Sequence, residues 1–580
     1  MSVTGMKKEK NQQKKQSPAP SGNPMASWRY IAAIVIALLT FIIYSPTYDA
    51  GFVRLDDQLY VHKNESIREL NAENIKKYFT ASAGATDMYT PLVYITYAME
   101  YASSGNNPAT YHRDNVLLHV TNALLLFWLV WLLTANLTIT TFIAGAFALH
   151  PFHVESVAWV SERKDVLYAA FFLGALIAYH QYRTAGRKNK YWLSLILFIL
   201  SCLSKSMAIT LPAVLLLYDY FYEKRRDISA MLMEKIPFFL VSMAFALIAI
   251  KLMDVSYDRS FLTGYNIFDR IILALYGVSF YIQKTLLPTG LSAMYTYPAK
   301  TGALLPVQYL LGAGITMLAL WLFLFSRYTN HIVRGCFLFY LVTIAPVLQL
   351  VPNTATITAD RYSYIPVCGI LGIIAWYAIS YARRIRADIK RELATTAAIL
   401  LALSVTAYAR TTVWKDSIVF YNDIINKGYY RDFAFTELGD AYDEIGDHIT
   451  ATAVFKRGDS LYKDNVAIKA RYAAALAADK KYDLAIQYYR RCLELDSTAE
   501  GVYVNLGDAL LKTDKTREAI EVLTTGYRMY PQNYTCLYNL AYAYWKLGDN
   551  ASAITYFSIA ARAGFQPAID FAQRHALPLR

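Results

Sequence analysis

A dense group of ionisable side chains stands between two apolar segments of the chain. The residues from Ala148 to Leu173 contain two histidines, three carboxylates and an arginine: His150, His153, Glu155, Glu162, Arg163 and Asp165. Ionisable groups at the edge of a membrane are costly to keep. Their density therefore indicates a functional site rather than simple packing.

Acidic and basic residues elsewhere in the chain could take part in the same chemistry. They lie in three separate segments and are Arg54, Asp56, Asp57, Lys205, Asp360 and Arg361. An acidic side chain can take a proton from an incoming hydroxyl, while an arginine binds a departing phosphate because its planar fork holds phosphate oxygens in pairs. This combination fits the transfer of a sugar from a lipid phosphate to an acceptor hydroxyl.

A purely structural interpretation fits the same residue types. Asp56 and Asp57 could cap a helix that begins near Gln58. Arg361 could pair with Asp360 or extend its charged end to the membrane surface. Spacing alone does not decide between this interpretation and a catalytic one.

Two kinds of sequence must position these residues. The chain has 580 residues, 56% of them hydrophobic, and a positive mean hydropathy, which is too long and too apolar for one soluble domain. Apolar runs of about 17 to 25 residues, long enough to cross a bilayer, recur from Tyr30 to about Arg410 and then stop. The sequence predicts an all-α fold with a polytopic membrane domain and a soluble C-terminal domain.

The predicted boundaries follow these changes in composition. A disordered basic cytoplasmic tail is expected at 1–28, the membrane domain at 29–411, a linker with a half repeat at 412–431, four helical repeats at 432–567 and a C-terminal tail at 568–580. About eleven spans of membrane-crossing length are expected. They lie near 30–45, 115–133, 139–150, 165–182, 191–204, 207–222, 236–253, 304–325, 335–351, 363–380 and 394–410.

The distribution of basic residues orients these spans. Lysine and arginine concentrate in the tail and in 183–190, 223–235, 326–334 and 383–391, and short loops rich in these residues stay cytoplasmic. The net charge of +13 is therefore topological and does not indicate nucleic-acid binding. An odd number of spans places the repeats on the non-cytoplasmic side.

One apolar segment does not fit this count. Residues 268–288 are long enough to cross the membrane, but counting them would move the basic segment 383–391 to the outer side. We therefore interpret 268–288 as re-entrant, interfacial or a broken hairpin. With this orientation, the loop 46–114, the group between Ala148 and Leu173, Lys205 and the segment 359–366 converge on the non-cytoplasmic face.

The C-terminal part has an internal repeat. Ala451, Ala485, Ala519 and Ala553 recur every 34 residues, the tetratricopeptide period. Two further columns share this period: Phe455, Tyr489, Leu523 and Phe557, and Gly439, Ala473, Gly507 and Ala541. Stacked helix pairs of this kind form a superhelix with a concave face for peptides or proteins.

Two asparagines could form a ladder on that concave face. Asn505 and Asn539 occupy the same repeat position, where Glu437 and Arg471 stand in the earlier repeats. A side-chain amide both donates to and accepts from an extended peptide backbone. The alternative is a solvated polar position without a partner.

Four short motifs resemble those of a known enzyme family. They are Leu55-Asp56-Asp57-Gln58-Leu59-Tyr60-Val61 with Asn64, His150-Pro151-Phe152-His153-Val154-Glu155-Ser156-Val157-Ala158-Trp159 with Arg163-Lys164-Asp165, Leu203-Ser204-Lys205, and Asp360-Arg361-Tyr362. Together with the repeats, they resemble the transmembrane and tetratricopeptide-repeat O-mannosyltransferases of the C-type glycosyltransferase superfamily.

This resemblance implies specific roles. It implies an inverting transfer from a polyprenyl-phosphate sugar, with Asp56 or Asp57 as general base and no choice between them. The donor phosphate would bind Arg361, Lys205 and Arg163, although Lys205 is followed by Ser206 where relatives are expected to carry an acidic residue. Substrate-binding or loop-shaping residues would be His150, His153, Glu155, Trp159, Asp165 and Asp360.

Several alternatives stay open at this stage. His150, His153 and Glu155 could hold a divalent metal, although the resemblance implies that no metal or other cofactor is needed. The chain could instead be an inactive scaffold whose repeats recruit protein partners. Expected partners are membrane lipid, a polyprenyl-phosphate sugar and a protein acceptor, and the membrane is a bacterial plasma membrane or that of the endoplasmic reticulum.

Overall fold

The computed structural model of the chain is almost entirely helical. It describes residues 24–80, 88–256, 264–300, 302, 304–350, 356–429 and 432–579. Residues 1–23 of the predicted basic tail lie outside the described residues. The strands in the described part form one antiparallel pair, β1 (Tyr295–Thr296) with β2 (Thr356–Thr358).

The first sixteen α-helices form the N-terminal part of the molecule. They are α1 Pro24–Ile43, α2 Ala72–Phe79, α3 Pro91–Ser104, α4 Pro108–Thr134, α5 Leu137–Leu149, α6 Val154–Ala158, α7 Arg163–Ala185, α8 Lys188–Ser204, α9 Leu211–Leu217, α10 Ile228–Glu234, α11 Ile236–Ser256, α12 Ile267–Leu286, α13 Val307–Leu320, α14 His331–Ile344, α15 Val367–Arg384 and α16 Ile389–Thr411.

Local sequence explains where the helices around the polar segments begin and end. Before α4, the Asn107 side chain accepts a hydrogen bond from the Ala109 N–H, and Pro108 opens the helix. Before α5, Asn136 caps the N–H of Ile139 in the same way. At the other end of α7, Gly186 has φ of 66°, the left-handed conformation in which glycine commonly ends a helix.

Part of the helical set has the length and composition of membrane spans. Four described helices qualify: Ser27–Asp49, Pro108–Thr134, Val307–Phe325 and Ile389–Trp414. Two bent pairs would raise the number to six: Leu137–Leu149 with Pro151–Ala158, bent by 46°, and Ile228–Glu234 with Ile236–Leu252, bent by 59°. The expected count of about eleven spans stays a prediction.

The segment that did not fit the span count is one continuous helix. α12 begins with a reciprocal cap in which Asn266 and Asp269 satisfy each other's backbone N–H groups, and it runs unbroken to Leu286. One of the three interpretations of 268–288, the broken hairpin, is therefore wrong. The chain has no turn signal in this run, so the helix has no reason to break.

Ten further helices follow the last apolar segment. They are α17 Ser417–Asn426, α18 Asp432–Glu444, α19 His448–Leu461, α20 Val466–Ala478, α21 Tyr482–Leu495, α22 Glu500–Lys512, α23 Thr516–Met529, α24 Tyr534–Leu547, α25 Asn550–Arg562 and α26 Gln566–Arg574. α26 occupies most of the predicted C-terminal tail, where Phe571 stacks on Phe557 with ring centroids 4.8 Å apart.

The repeat columns found in the sequence meet each other inside the helix pairs. A Cβ atom at Gly439 would lie 2.2 Å from the ring of Phe455, and one at Gly507 would lie 2.5 Å from Leu523. Real Cβ atoms do not approach this closely, so the small residue is required by the large one. The periodic columns therefore record helix contacts.

The first repeat and the apolar helices share one hydrophobic core. α17 lies in the predicted linker and half repeat, and its Tyr421 and Ile424 are fully buried. The same cluster of buried residues contains Trp159 beside α6, Trp414 at the end of α16 and Phe435 on α18. The first repeat is thus packed onto the part of the molecule that carries the polar motifs.

Candidate active site

The two motif histidines shape the chain between α5 and α6. His150 donates from Nε2 to the carbonyl of Thr285 at 3.0 Å and accepts from the Phe152 N–H at Nδ1. His153 donates from Nδ1 to the carbonyl of Phe147 at 2.7 Å. Both rings are buried. Through these contacts the two rings hold the backbone between α5 and α6 in place, and their expected role at a substrate stays a prediction.

The metal interpretation of these histidines has no support in the described residues. There, no group of three or more His, Cys, Asp or Glu side chains is arranged to hold a metal ion. Glu155 is bonded to Arg361, and His150 uses both ring nitrogens for backbone contacts. A metal at this position would have to displace those contacts.

Arg361 joins two buried carboxylates. Its Nη1 lies 2.5 Å from Glu155 Oε1 and its Nε lies 3.2 Å from Glu162 Oε1. The Arg361 N–H also donates to Glu155 Oε2 at 3.2 Å. Arg361 therefore does not pair with its neighbour Asp360, as the structural interpretation proposed, but connects the second motif to the fourth.

Two lysines extend this row of charges. Lys205 pairs with Asp165 and lies 3.4 Å from Glu162 Oε2, and Lys164 lies 3.1 Å from Glu162 Oε1. Burial raises the pKa of Glu162, but the charges of Lys164, Lys205 and Arg361 outweigh burial and lower it. Glu162 is therefore the ionised centre of the cluster.

Asp56 and Asp57 differ sharply in exposure and contacts. The Asp56 side chain is 43% exposed, and its Oδ2 lies 3.9 Å from the Lys164 Nζ. Asp57 is fully buried, accepts from the Val53 N–H at 3.0 Å and the Ser161 N–H at 2.9 Å, and also accepts from the Ser161 hydroxyl. Burial raises its pKa to about 6. Asp57 makes no capping hydrogen bond to the turn at Gln58–His62.

Trp159 lies beneath the charged row. Its indole stacks on Trp414 with centroids 5.6 Å apart, and the Arg361 guanidinium and Lys164 ammonium lie 5.4 and 5.6 Å from its centroid. Cations at this distance are attracted to the ring face. The ring is buried, so it supports the cations rather than offering an open surface for a sugar.

Asp360 and Asp165 fix the edges of the cluster. Asp360 accepts from the Tyr295 hydroxyl at 2.7 Å, and burial followed by the charge of Glu155 raises its pKa to about 8. Asp165 accepts from the Ser156 hydroxyl at 3.1 Å. The strand pair β1–β2 is what brings Tyr295 to Asp360, because β2 ends two residues before it.

Arg163 is not part of this cluster. Its Nη1 lies 2.7 Å from Glu100 on α3, its Nη2 donates to the carbonyl of Tyr111 at 2.9 Å and its Nε donates to Asn115. Lys164, the next residue, faces the carboxylates instead. The motif Arg163-Lys164-Asp165 predicts phosphate binding by Arg163 and assigns no role to Lys164, because only the register of the α7 N-terminus distinguishes the two residues.

We expect an Arg163→Ala variant to lower stability without weakening donor binding. The substitution leaves Glu100 buried without its partner, which costs about 3 to 5 kcal/mol. Arg113→Ala is the control, because Arg113 forms an exposed pair with Asp114 and such pairs contribute about 0 to 1 kcal/mol. Thermal unfolding in detergent and donor titration measure the two effects. A folded Arg163→Ala protein with weakened donor binding would contradict this expectation.

Comparisons with known proteins bear on both halves of the chain. Two tetratricopeptide-repeat family models match residues 504–567 and 468–498. Protein O-mannosyl-transferase Tmtc1 of Drosophila melanogaster is 30% identical over 33% of this chain, and TMTC2 of Homo sapiens is 31% identical over 35%. TMTC3 of Homo sapiens is 20% identical over 85% of this chain. The resemblance to the O-mannosyltransferase family is confirmed.

The extent of these matches is limited. They cover 23%, 25% and 62% of Tmtc1, TMTC2 and TMTC3, so the chain spans about a quarter of the length of the first two O-mannosyl-transferases. Among solved structures, MamA is 19% identical, with a TM-score of 0.24, over 28% of this chain and 89% of MamA. That likeness carries no argument about function.

The repeats of this O-mannosyltransferase-like chain touch the loop that carries Asp56. Arg54 lies 3.1 Å from Glu437 Oε2 and 3.4 Å from Asp440 Oδ2, and it also pairs with Glu444. All three carboxylates belong to α18. Backbone contacts support them, because the Arg54 N–H donates to the Ser417 hydroxyl at 2.9 Å and the Tyr421 hydroxyl donates to the Arg54 carbonyl.

The predicted asparagine ladder is related to this contact by repeat position. Glu437, bound to Arg54, occupies the repeat position that Asn505 has on α22 and Asn539 has on α24. Asn505 is exposed and Asn539 is half-buried. The two asparagines therefore share the repeat position of the residue that contacts the Asp56 loop. Within the described part of the chain, no hydrogen bond joins either of them to the charged row.

Proposed function

We propose that this chain is an integral-membrane glycosyltransferase that moves mannose from a polyprenyl-phosphate donor to hydroxyl groups of protein acceptors. The observation that carries the proposal is the exposed carboxylate of Asp56 at the end of a buried, ion-paired row of Lys164, Glu162 and Arg361. The similar proteins Tmtc1 and TMTC2 are named protein O-mannosyl-transferases, and we take the sugar and the acceptor class from that name.

We assign the general base to Asp56. A base must reach the proton it removes, and Asp56 is accessible, whereas both oxygens of Asp57 are committed to Val53 and Ser161. The raised pKa of Asp57 would suit a base, but its burial keeps it from an acceptor. Asp57 instead connects the backbone at Val53, before Asp56, to the backbone at Ser161, in the turn before α7.

The reaction that fits these groups is a single displacement. The acceptor oxygen bonds to the anomeric carbon from the side opposite the phosphate, the bond from that carbon to the phosphate oxygen breaks, and the acceptor proton passes to Asp56. The configuration at the anomeric carbon inverts. The reaction needs no cofactor, and transfer that survives chelation of divalent metals would support this form of it.

Arg361 is the member of the cluster best placed to meet the donor phosphate. Two carboxylates hold it through Nη1 and Nε, and its side chain is 15% exposed. Within the described residues, Nη2 makes no hydrogen bond. Lys205 also lies in the cluster, but it is bound to both Asp165 and Glu162, so we assign it the role of holding them.

The repeats are proposed to bind the protein acceptor. Their first helix pair contacts the loop of Asp56 through Arg54, so the repeats and the proposed base share one side of the molecule. We propose that this side is non-cytoplasmic and that the N-terminus is cytoplasmic, in keeping with the basic loops.

Sugar transfer by purified protein tests the proposal against the scaffold alternative. Wild-type chain, radiolabelled polyprenyl-phosphate mannose and a protein acceptor should give labelled acceptor. Absence of label from a folded protein that binds the donor, with mannose, glucose and galactose donors alike, would favour a scaffold whose repeats recruit partners.

We expect the double variant Asn505→Ala, Asn539→Ala to raise the KM for a protein acceptor about tenfold, because each lost amide removes hydrogen bonds to the bound backbone. The donor affinity should not change. Gln487→Ala on α21 is the control, since Gln487 is exposed on the second helix of its pair. An unchanged KM would mean that Asn505 and Asn539 are solvated positions, as the alternative interpretation holds.

A further inference from the structure

A second group of basic side chains lies beside Asp360. Arg410 is near the end of α16, Lys427 follows α17, and Lys284 is in the last turn of α12. The charges of Arg410 and Lys284 both act on the Asp360 carboxyl, and that of Asp360 acts on Lys427. Three elements distant in sequence thus bring three cations to the residue that precedes Arg361.

Arg410 has an unused hydrogen-bond donor in the interior. The residue is 7% exposed, and its Nη1 donates to Asp423 Oδ2 at 2.8 Å. Its Nη2 is buried and meets no acceptor within the described part of the chain. Buried donors are nearly always paired, so an unpaired guanidinium nitrogen indicates the place of an acceptor that does not belong to the protein.

Lys427 and Lys284 form the outer part of this group. Lys427 shares Asp423 with Arg410, at 2.7 Å, and is 26% exposed. Two cations thus lie within ion-pair distance of one carboxylate. Burial and the nearby charge of Arg410 lower the pKa of Lys427. Lys284 donates to the Thr289 carbonyl at 2.5 Å and has no carboxylate within ion-pair distance among the described residues.

The charges of the two groups do not balance in the same way. In the row around Glu162, three cations face four carboxylates: Arg361, Lys164 and Lys205 against Glu155, Glu162, Asp165 and Asp56. In the second group, Asp423 is the one carboxylate of the described residues within ion-pair distance, and it serves both Arg410 and Lys427 while Lys284 has none. The second group therefore has more cations than carboxylates within ion-pair distance, which favours the binding of an anion there.

We propose that Arg410, Lys427 and Lys284 bind the phosphate of the lipid donor, next to Arg361. This inference rests on the proposed function. When the bond from the anomeric carbon to the phosphate oxygen breaks, a phosphodiester with one negative charge becomes a phosphomonoester with two. Surplus positive charge in a buried place stabilises the charge that develops on the leaving oxygen.

The test compares a polyprenyl phosphate with the polyprenol that lacks the phosphate. Full-length protein in phosphatidylcholine nanodiscs is titrated with each lipid. The Kd for polyprenol divided by the Kd for polyprenyl phosphate is a ratio that measures how much the phosphate contributes to binding. Arg410→Gln and Lys427→Gln should each reduce this ratio about tenfold or more, as expected for a charge-assisted hydrogen bond. Lys415→Gln, an exposed lysine of the same segment, should leave it unchanged.

Three outcomes would overturn the proposal. An unchanged ratio in both folded variants would show that the group does not recognise the phosphate. Inorganic phosphate that displaces polyprenyl phosphate equally well, or phosphatidylglycerol that does so in anionic nanodiscs, would show a general anion or headgroup site. If Arg410→Gln does not fold, Lys427→Gln decides, because Lys427 is partly exposed and Arg410 still neutralises Asp423.

Failure of the proposed function can be told apart from failure of this inference. If the wild type transfers sugar but the ratio is unchanged in both variants, the phosphate site is refuted and the proposed enzymatic function is supported. If the ratio falls in both variants but the wild-type protein transfers no sugar, the phosphate site is supported and the proposed enzymatic function is refuted.

Discussion

Replacement of Asp56 by asparagine is expected to lower the rate of sugar transfer about 10²- to 10⁴-fold, the usual contribution of a general base. The variant keeps the size of the side chain and loses only the ability to accept the proton. Asp56 is 43% exposed, and the one ion pair it makes within the described residues is 3.9 Å long, so the thermal unfolding midpoint should hardly change. Single-turnover transfer with saturating donor measures the chemical step.

Two comparisons make this expectation specific. Asp49→Asn removes another exposed carboxylate from the same loop and should leave the rate unaffected. Asp57→Asn should act differently, because an amide has one acceptor oxygen and cannot receive the hydrogen bonds from both Val53 and Ser161, so it should destabilise the protein. A folded Asp56→Asn enzyme with full activity would refute the assignment of the base.

Arg361→Ala is expected to abolish transfer and also to destabilise the protein by about 3 to 5 kcal/mol, because Glu155 and Glu162 would be left buried without their shared partner. Arg361→Lys should recover much of the stability, since it restores a positive charge. It should recover little of the activity, because an ammonium cannot replace a planar fork that bridges two carboxylates.

The matched control for Arg361→Ala is Arg383→Ala. Arg383 is exposed in the last turn of α15, the helix that follows Arg361. Its loss should change neither the unfolding midpoint nor the rate. If Arg361→Ala unfolds at the wild-type temperature, the two glutamates have another source of compensation and the ion-paired row does not hold the site together.

Much of the repeat architecture could be predicted because its packing is periodic. Gly439 and Phe455 recur with their equivalents every 34 residues. At the two glycines of this column, Gly439 and Gly507, a specific large residue leaves no room for a side chain. The same reasoning reached the motif residues, because charged side chains between apolar runs are costly and therefore conspicuous. The helical nature followed from these signals, whereas the family was indicated by the resemblance of the four motifs to those of O-mannosyltransferases.

The roles within the site could not be read in the same way. Asp56 and Asp57 are chemically identical neighbours, and only the fold exposes one and buries the other against Ser161. Arg163 and Lys164 are a similar pair. Arg410 gave no signal at all, because a single arginine at the end of an apolar run is typical of a residue that extends its charge to the membrane surface.

The contact of Arg54 with α18 has a consequence for how the molecule can be divided. Only Leu55 separates Arg54 from Asp56. Three carboxylates of the first repeat hold the Arg54 side chain, and Ser417 and Tyr421 hold its backbone. The first repeat thus packs directly against the loop that carries the proposed base. A chimaera in which another superhelix replaces the repeats would have to retain α17 and α18. The boundary for such an exchange therefore lies after α18 and not after the last apolar helix.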